Sequence, residues 1–177
     1  VKVVTGQYYL YLPGRDGRNE GTGFLSPTPQ VTVTIPATSS KLLSIGAYDS
    51  KMQSYADFSG RGYADSKRTI GVVTAGLVKP DIAAPGVDII APQMTGTGSG
   101  YAAFSGTSFA TPIVSGSAAL FMEWGIVRRN DPFLYGEKIK AYLRAGARAL
   151  RGEKEYPNDR VGYGALCVSQ SFAKNGI

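Results

Sequence analysis

The sequence predicts an α/β fold in which short buried strands accompany a buried helix that starts at Ser108. Three observations predict it. Residues 42–48 (LLSIGAY) form a short apolar run, the pattern of a strand buried on both faces. Residues 87–91 (VDIIA) follow a segment punctuated by Pro and Gly, residues 79–86, and read as another strand. Residues 108–124 are small or apolar on nearly every face until Glu123, which for a helix implies burial all round.

Taken in order, residues 1–12 (VKVVTGQYYLYL) and 31–37 (VTVTIPA) are β-branched or aromatic with partial alternation and are expected to be strands. The Gly- and Pro-rich residues 13–29 between them read as an exposed, turn-rich connection. Residues 49–62 are a polar loop. Residues 96–100 (GTGSG) lead into a short strand at 101–104 (YAAF). This glycine cluster lacks the Gly-Lys-Ser/Thr of a phosphate loop and precedes a strand, so it is read as a turn. In the buried helix, Ala110, Ser115, Gly116, Ala118 and Ala119 are expected to let neighbouring strands approach closely. Across residues 136–150, Ile139, Tyr142, Leu143, Gly146 and Leu150 recur at helical spacing, giving an amphipathic surface helix. Lys140, Arg144 and Arg148 recur every fourth residue opposite that stripe and read as a solvated face, not a nucleic-acid surface. In the tail, Gly162 and Gly164 flank Tyr163 ahead of an apolar patch at 165–168. There is no internal repeat.

Composition narrows the chemistry. The chain has 177 residues, 43% of them hydrophobic and 18% charged, which suits one domain with a real core. Its net charge of +6 is concentrated in residues 128–160. No apolar run approaches the roughly 18 residues of a membrane span. The decisive count is histidine, which is zero. That removes the imidazole base, every His metal ligand and any complete Ser-His-Asp triad from the chain. The single Cys167 cannot form an internal disulfide, a Cys-His pair or a usual zinc site, and reads as a small buried hydrophobe. No cofactor and no metal are assigned. Because residue 1 is Val and no signal segment follows, the chain reads as a piece of a longer protein.

Residues 105–112 (SGTSFATP) place a hydroxyl where a strand and tight turn meet the head of the buried helix. First-turn amides of a helix lack internal partners and point outward at the positive end of its dipole, so they can bind a developing oxyanion. Ser108 is therefore the candidate nucleophile and the donor of one oxyanion N–H. Gly106 permits the sharp turn. The alternative is that Thr107 or Ser108 merely caps the helix. The pattern nearly matches the Gly-x-Ser-x-Gly elbow of α/β-hydrolases, but those place the catalytic His after the serine, where none exists here. An Asp, His, Ser order would put both partners upstream.

Residues 106–112 (GTSFATP) resemble the serine signature of the subtilisin-like serine peptidases, or subtilases, and residues 79–87 (KPDIAAPGV) resemble the segment that precedes it. Residues 45–49 (IGAYD) and 58–62 (FSGRG) are similar to the family's upstream strand and loop. The tail blocks YGEK (135–138) and VGYGALC (161–167) resemble clostridial germination-protease-like members. The resemblance implies a partial subtilisin-like α/β domain, a mostly parallel β-sheet with a buried central helix starting at Ser108: residues 31–177 as the C-terminal half of the catalytic domain, and residues 1–30 as the end of an inserted β-domain or a connecting hairpin. It implies a serine endopeptidase whose nucleophile is Ser108 and whose catalytic Asp, His and oxyanion Asn lie upstream. The implied partners are a peptide or protein substrate and the N-terminal part of the same protein, with no nucleic acid and no membrane span. The implied setting is bacterial, and extracellular, cell-envelope or spore-associated. Ile113 replaces a noncatalytic His that many members carry. Asp81 lies in a segment near a cation site in some members, and is read as structural. Two rivals are a non-catalytic binding or signalling relative and a sedolisin-type peptidase; residues 110–112 (ATP) favour subtilases.

Overall fold

Short apolar stretches separated by Pro and Gly build the sheet, and small side chains let the helices close on it. The structure, a computed structural model, describes residues 10–13, 17–64, 77–95 and 98–176. Among the described residues the strands are β1 (Ile45–Asp49), β2 (Ser54–Tyr55), β3 (Ile82–Pro85), β4 (Ile89–Thr95) and β5 (Gly98–Phe104). Helix α1 (Thr107–Met122) continues into a π-helical turn, Glu123–Val127, and is followed by α2 (Gly136–Ala145) and α3 (Val168–Lys174).

At the centre β1 and β3 run parallel, from Ile45 opposite Ile82 to Tyr48 opposite Pro85. Both are short, apolar and buried, as parallel strands covered on both faces must be. The tail takes the other edge of β3: the Ala83 amide donates to Gly164 O at 2.9 Å and the Leu166 amide to Ala83 O at 2.8 Å. Strand β2 pairs antiparallel with β1, and β4 and β5 form a separate antiparallel hairpin. The α/β class holds, but the described sheet is mixed, with parallel pairing confined to β1, β3 and the tail bridge.

Helix α1 lies on β1 and β3. Its buried stripe is Ala110, Val114, Ser117 and Phe121, spaced at helical period. Phe121 is fully buried and stacks on Phe172 of α3 with centroids 4.1 Å apart, while Tyr142 of α2 and Trp124 close around the pair. This aromatic knot joins α1, α2 and α3.

Several expectations are corrected. Of the strand expected at 1–12, residues 1–9 lie outside the described residues and 10–12 are not a strand. Residues 31–37 are turns and irregular backbone: Val31 has a positive φ of 55°, and the Thr32 and Val33 amides both donate to one carbonyl, Arg61 O, which no strand ladder permits. Residues 82–85, taken as part of a punctuated connection, are the central strand β3. Alternation could not reveal β3, because small Ala residues fill it on both faces. The helix predicted over 136–150 ends at Ala145, and α3 was not foreseen. Helix α1 is not buried all round. Ser115, Gly116, Ala119 and Leu120 are exposed, and a Cβ added at Gly116 would meet nothing within 4 Å. The helical stretch Thr107–Val127, 21 residues, is long and apolar enough to cross a membrane by length and composition alone, a property that the core helices of soluble proteins share.

Two substitutions on α1 should therefore behave oppositely. Phe121→Ala empties the aromatic knot and should cost about 3–5 kcal/mol in denaturant unfolding. Gly116→Ala should be neutral or gain up to about 1 kcal/mol from helix propensity alone. A destabilised Gly116→Ala would show that this face is covered in solution.

Candidate active site

Ser108 is the second residue of α1 and is exposed. Only Ser105 and Gly106 separate strand β5 from the helix, so the chain must reverse within two residues. Gly106 does this at φ 157° and ψ 157°, a region essentially closed to residues with a Cβ. Its amide donates to Gly86 O at 2.8 Å, and the Gly86 amide donates to Tyr48 O at 3.0 Å, which ties the turn to the C-terminal ends of β3 and β1. Beside it the Asp88 amide donates to Ser105 Oγ at 3.0 Å. A Cβ at Gly86 would lie 2.7 Å from Ala47 Cβ and 3.0 Å from Gly106 O, so this contact needs glycine at 86, while Gly106 is needed for its backbone angles and not for space.

The helix start carries no side-chain cap, which removes the alternative that Thr107 or Ser108 serves as one. The Phe109 and Ala110 amides turn back to Gly106 O, at 3.1 and 3.4 Å. Among the described residues, the Thr107 and Ser108 amides have no partner, and Ser108 Oγ has neither donor nor acceptor. This is an exposed hydroxyl over two free N–H groups at the positive end of a 16-residue helix. Pro112 sits inside the helix at its sixth residue, so Ser108 O receives no helical amide.

At the opposite end of β3, Asp81 is fully buried with three cations around it. Its Oδ2 accepts from the Ser44 amide at 2.7 Å and from Lys79 Nζ at 3.0 Å. Its Oδ1 accepts from Lys140 Nζ at 2.8 Å and from Arg144. The two ammonium groups also share Leu42 O, at 2.8 and 3.0 Å, and Lys140 reaches Ser40 O at 3.0 Å. Asp81 is structural, and a metal ion does not fit beside it, because both oxygens are engaged and the surrounding charge is already positive. The basic stripe on α2 is thus corrected. Lys140 and Arg144 point into the molecule at Asp81, and Arg148 reaches Tyr48 Oη and Gln53. Periodicity located the stripe but could not show that a buried carboxylate on another element awaits it. Burial pushes the Lys79 ammonium below its ordinary pKa, Asp81 opposes this, and Lys140 and Arg144 add to it.

Cys167 is half-buried, not a core residue. It precedes α3 with its Sγ 3.5 Å from Ser169 Oγ, and this contact lowers its pKa. An apolar cleft of about 370 Å³, lined among others by Leu10, Tyr11, Phe24 and Pro27, does not include Ser108.

A parallel β1–β3 core, a helix laid across it and a serine at the helix head define a subtilisin-like protein. The chain belongs to the Subtilase family, whose model matches residues 19–164. It is similar to the serine protease AprX of Bacillus subtilis, 32% identical over 157 residues, covering 82% of this chain and 32% of AprX. It is similar to the minor extracellular protease Vpr of the same organism, 31% identical over 127 residues, covering 69% of this chain and 14% of Vpr. The structure of the Clostridium perfringens CspB protease superposes with a TM-score of 0.74 at 43% identity, over 87% of this chain and 30% of CspB. The chain thus spans about a third or less of the length of these relatives.

Asp81→Ala strands buried cations and should cost about 3–5 kcal/mol. The pH dependence has a definite sign. Lys79 binds its proton less tightly folded than unfolded, so its contribution to stability rises with pH from its depressed value towards 10.5. Denaturant melts of the wild type and Lys79→Met across alkaline pH should show the wild type gaining relative to the variant. A constant difference would contradict the sign.

Proposed function

We propose that this chain is the C-terminal half of the catalytic domain of a subtilisin-type serine endopeptidase. Ser108 is its nucleophile, and the catalytic Asp and His come from a preceding part of the same protein. The observation that carries this is the uncapped, exposed Ser108 over free helix-head amides in a chain without histidine. Ser108 Oγ attacks the scissile carbonyl as the upstream His takes its proton, and the Ser108 amide donates to the resulting oxyanion. The His returns that proton to the leaving amine, leaving an acyl group on Ser108, and water then releases it by the reverse proton route. The upstream Asp holds the His in the correct tautomer.

The exposed face of α1, with Gly116, Ala119 and Leu120, is where the preceding part docks, which makes α1 a core helix and not a membrane span. Residues 31–177 are assigned to this half-domain, and residues 1–30 to the end of an inserted β-domain or a connecting hairpin. The substrate is a peptide or protein. Vpr carries extracellular in its name, and this supports a bacterial protein working outside the cell, at its envelope or with the spore.

The isolated chain should hydrolyse no peptide, because loss of a triad partner costs about 10⁴-fold or more. Adding the preceding part, in trans or in the full-length protein, should restore hydrolysis. Ser108→Ala should abolish it while changing stability by less than about 0.5 kcal/mol, since the hydroxyl makes no cap. Full-length Ser108→Ala that still cleaves peptides would overturn the assignment. Full-length wild type that binds peptides without cleaving them would establish the non-catalytic reading.

A further inference from the structure

The turn that carries Ser108 is anchored on one side by two hydrogen bonds, the Gly106 amide donating to Gly86 O and the Asp88 amide donating to Ser105 Oγ. Its other side is closed by two aromatic rings. Phe104 is the last residue of β5 and Phe109 the third of α1, and their rings stack with centroids 5.1 Å apart and planes within 12°. The Phe109 ring also covers the turn, since a Cβ built on Gly106 would meet Phe109 Cδ2 at 3.6 Å and Cε2 at 3.9 Å. Both rings are half-buried. The four residues between them, Ser105 to Ser108, form a loop pinned at its two ends by one contact.

Resting on the peptidase reading above, we propose that Phe104 and Phe109 are positioning residues for the nucleophile. Phe109 follows Ser108 directly in the chain, so the plane of the stack sets the direction in which the Ser108 amide and Oγ point. Ser108 makes no hydrogen bond of its own among the described residues that would do this instead. Stacking is suited to the task because it fixes a ring plane without occupying the hydroxyl or the oxyanion amide, both of which the reaction uses. A displacement of about 1 Å at a nucleophile costs on the order of 10²-fold in rate, so a modest loosening of the loop has a large readout.

The test uses the full-length protein and three variants, Phe104→Leu, Phe109→Leu and Phe109→Tyr, with folding checked by thermal unfolding. A small fluorophosphonate, which has no peptide on its leaving-group side, reads the reactivity of Ser108 directly. The proposal expects each Leu variant to slow both fluorophosphonate labelling and kcat tenfold or more, with KM within twofold. The double Leu variant should be no slower than either single one, because each breaks the same contact. Phe109→Tyr keeps the ring and should recover most of the loss, which a variant that merely fails to fold would not explain. Leu variants that label at the wild-type rate would overturn the proposal. If their KM rose as well, the rings would be lining a substrate pocket instead. Wild type that does not label would remove the peptidase reading and this proposal with it.

Discussion

Two glycines at the junction of sheet and helix determine where Ser108 stands, Gly86 because no side chain fits there and Gly106 because of its backbone angles. Gly86 ends the central strand β3 and Gly106 begins α1, and their backbones meet through the Gly106 amide on Gly86 O at 2.8 Å. Everything at the site follows from that contact. It places the positive end of α1 at the C-terminal edge of the parallel strands and turns Ser108 outward. It also lets the first-turn amides remain unpaired without being buried. A side chain at Gly86 would collide with Ala47 and the Gly106 carbonyl, whereas one at Gly106 would be strained by its φ of 157°; either would disturb the seat of the stripe from Ala110 to Phe121 on β1 and β3.

The other end of β3 is held electrostatically. Asp81 gathers the Ser44 amide, Lys79, Lys140 and Arg144, so one carboxylate joins the segment before β1, β3 itself and α2. Burying three cations around one anion is costly, and the carbonyls of Ser40 and Leu42 offset part of that cost by accepting from the ammonium groups. The strand is thus fixed at its entry by charge and at its exit by close backbone packing. Between these ends the Ala residues of β3 add little side-chain bulk and allow α1 to lie close.

Much of this was legible in the sequence, and the gaps have physical causes. The serine turn could be read because a strand, a glycine and a helix with a small-residue head occur in sequence within a dozen residues. The buried helix was legible in its existence but not in its exposure. Composition gives the same apolar residues to a face covered by neighbours and to one that is open, as at Gly116 and Leu120. The cations of α2 were placed on the right helix and given the wrong surroundings, since their partner Asp81 lies about sixty residues away. Strand β3 escaped because Pro80 and Pro85 mark it as a connection while its alanines give no alternation. The tail's role beside β3 depends on backbone hydrogen bonds from residues 163–166, which no side-chain pattern records.

The central claim is that a chain without histidine nevertheless presents the nucleophile of a peptidase. The most direct measurement is the position of the covalent adduct. Full-length protein would be inactivated with phenylmethylsulfonyl fluoride, digested with trypsin, and its peptides sequenced by mass spectrometry. The account predicts one sulfonyl group per molecule, on Ser108 in the peptide that contains residues 105–112. Inactivation accompanied by a sulfonyl group on another residue, with Ser108 unmodified, would contradict it.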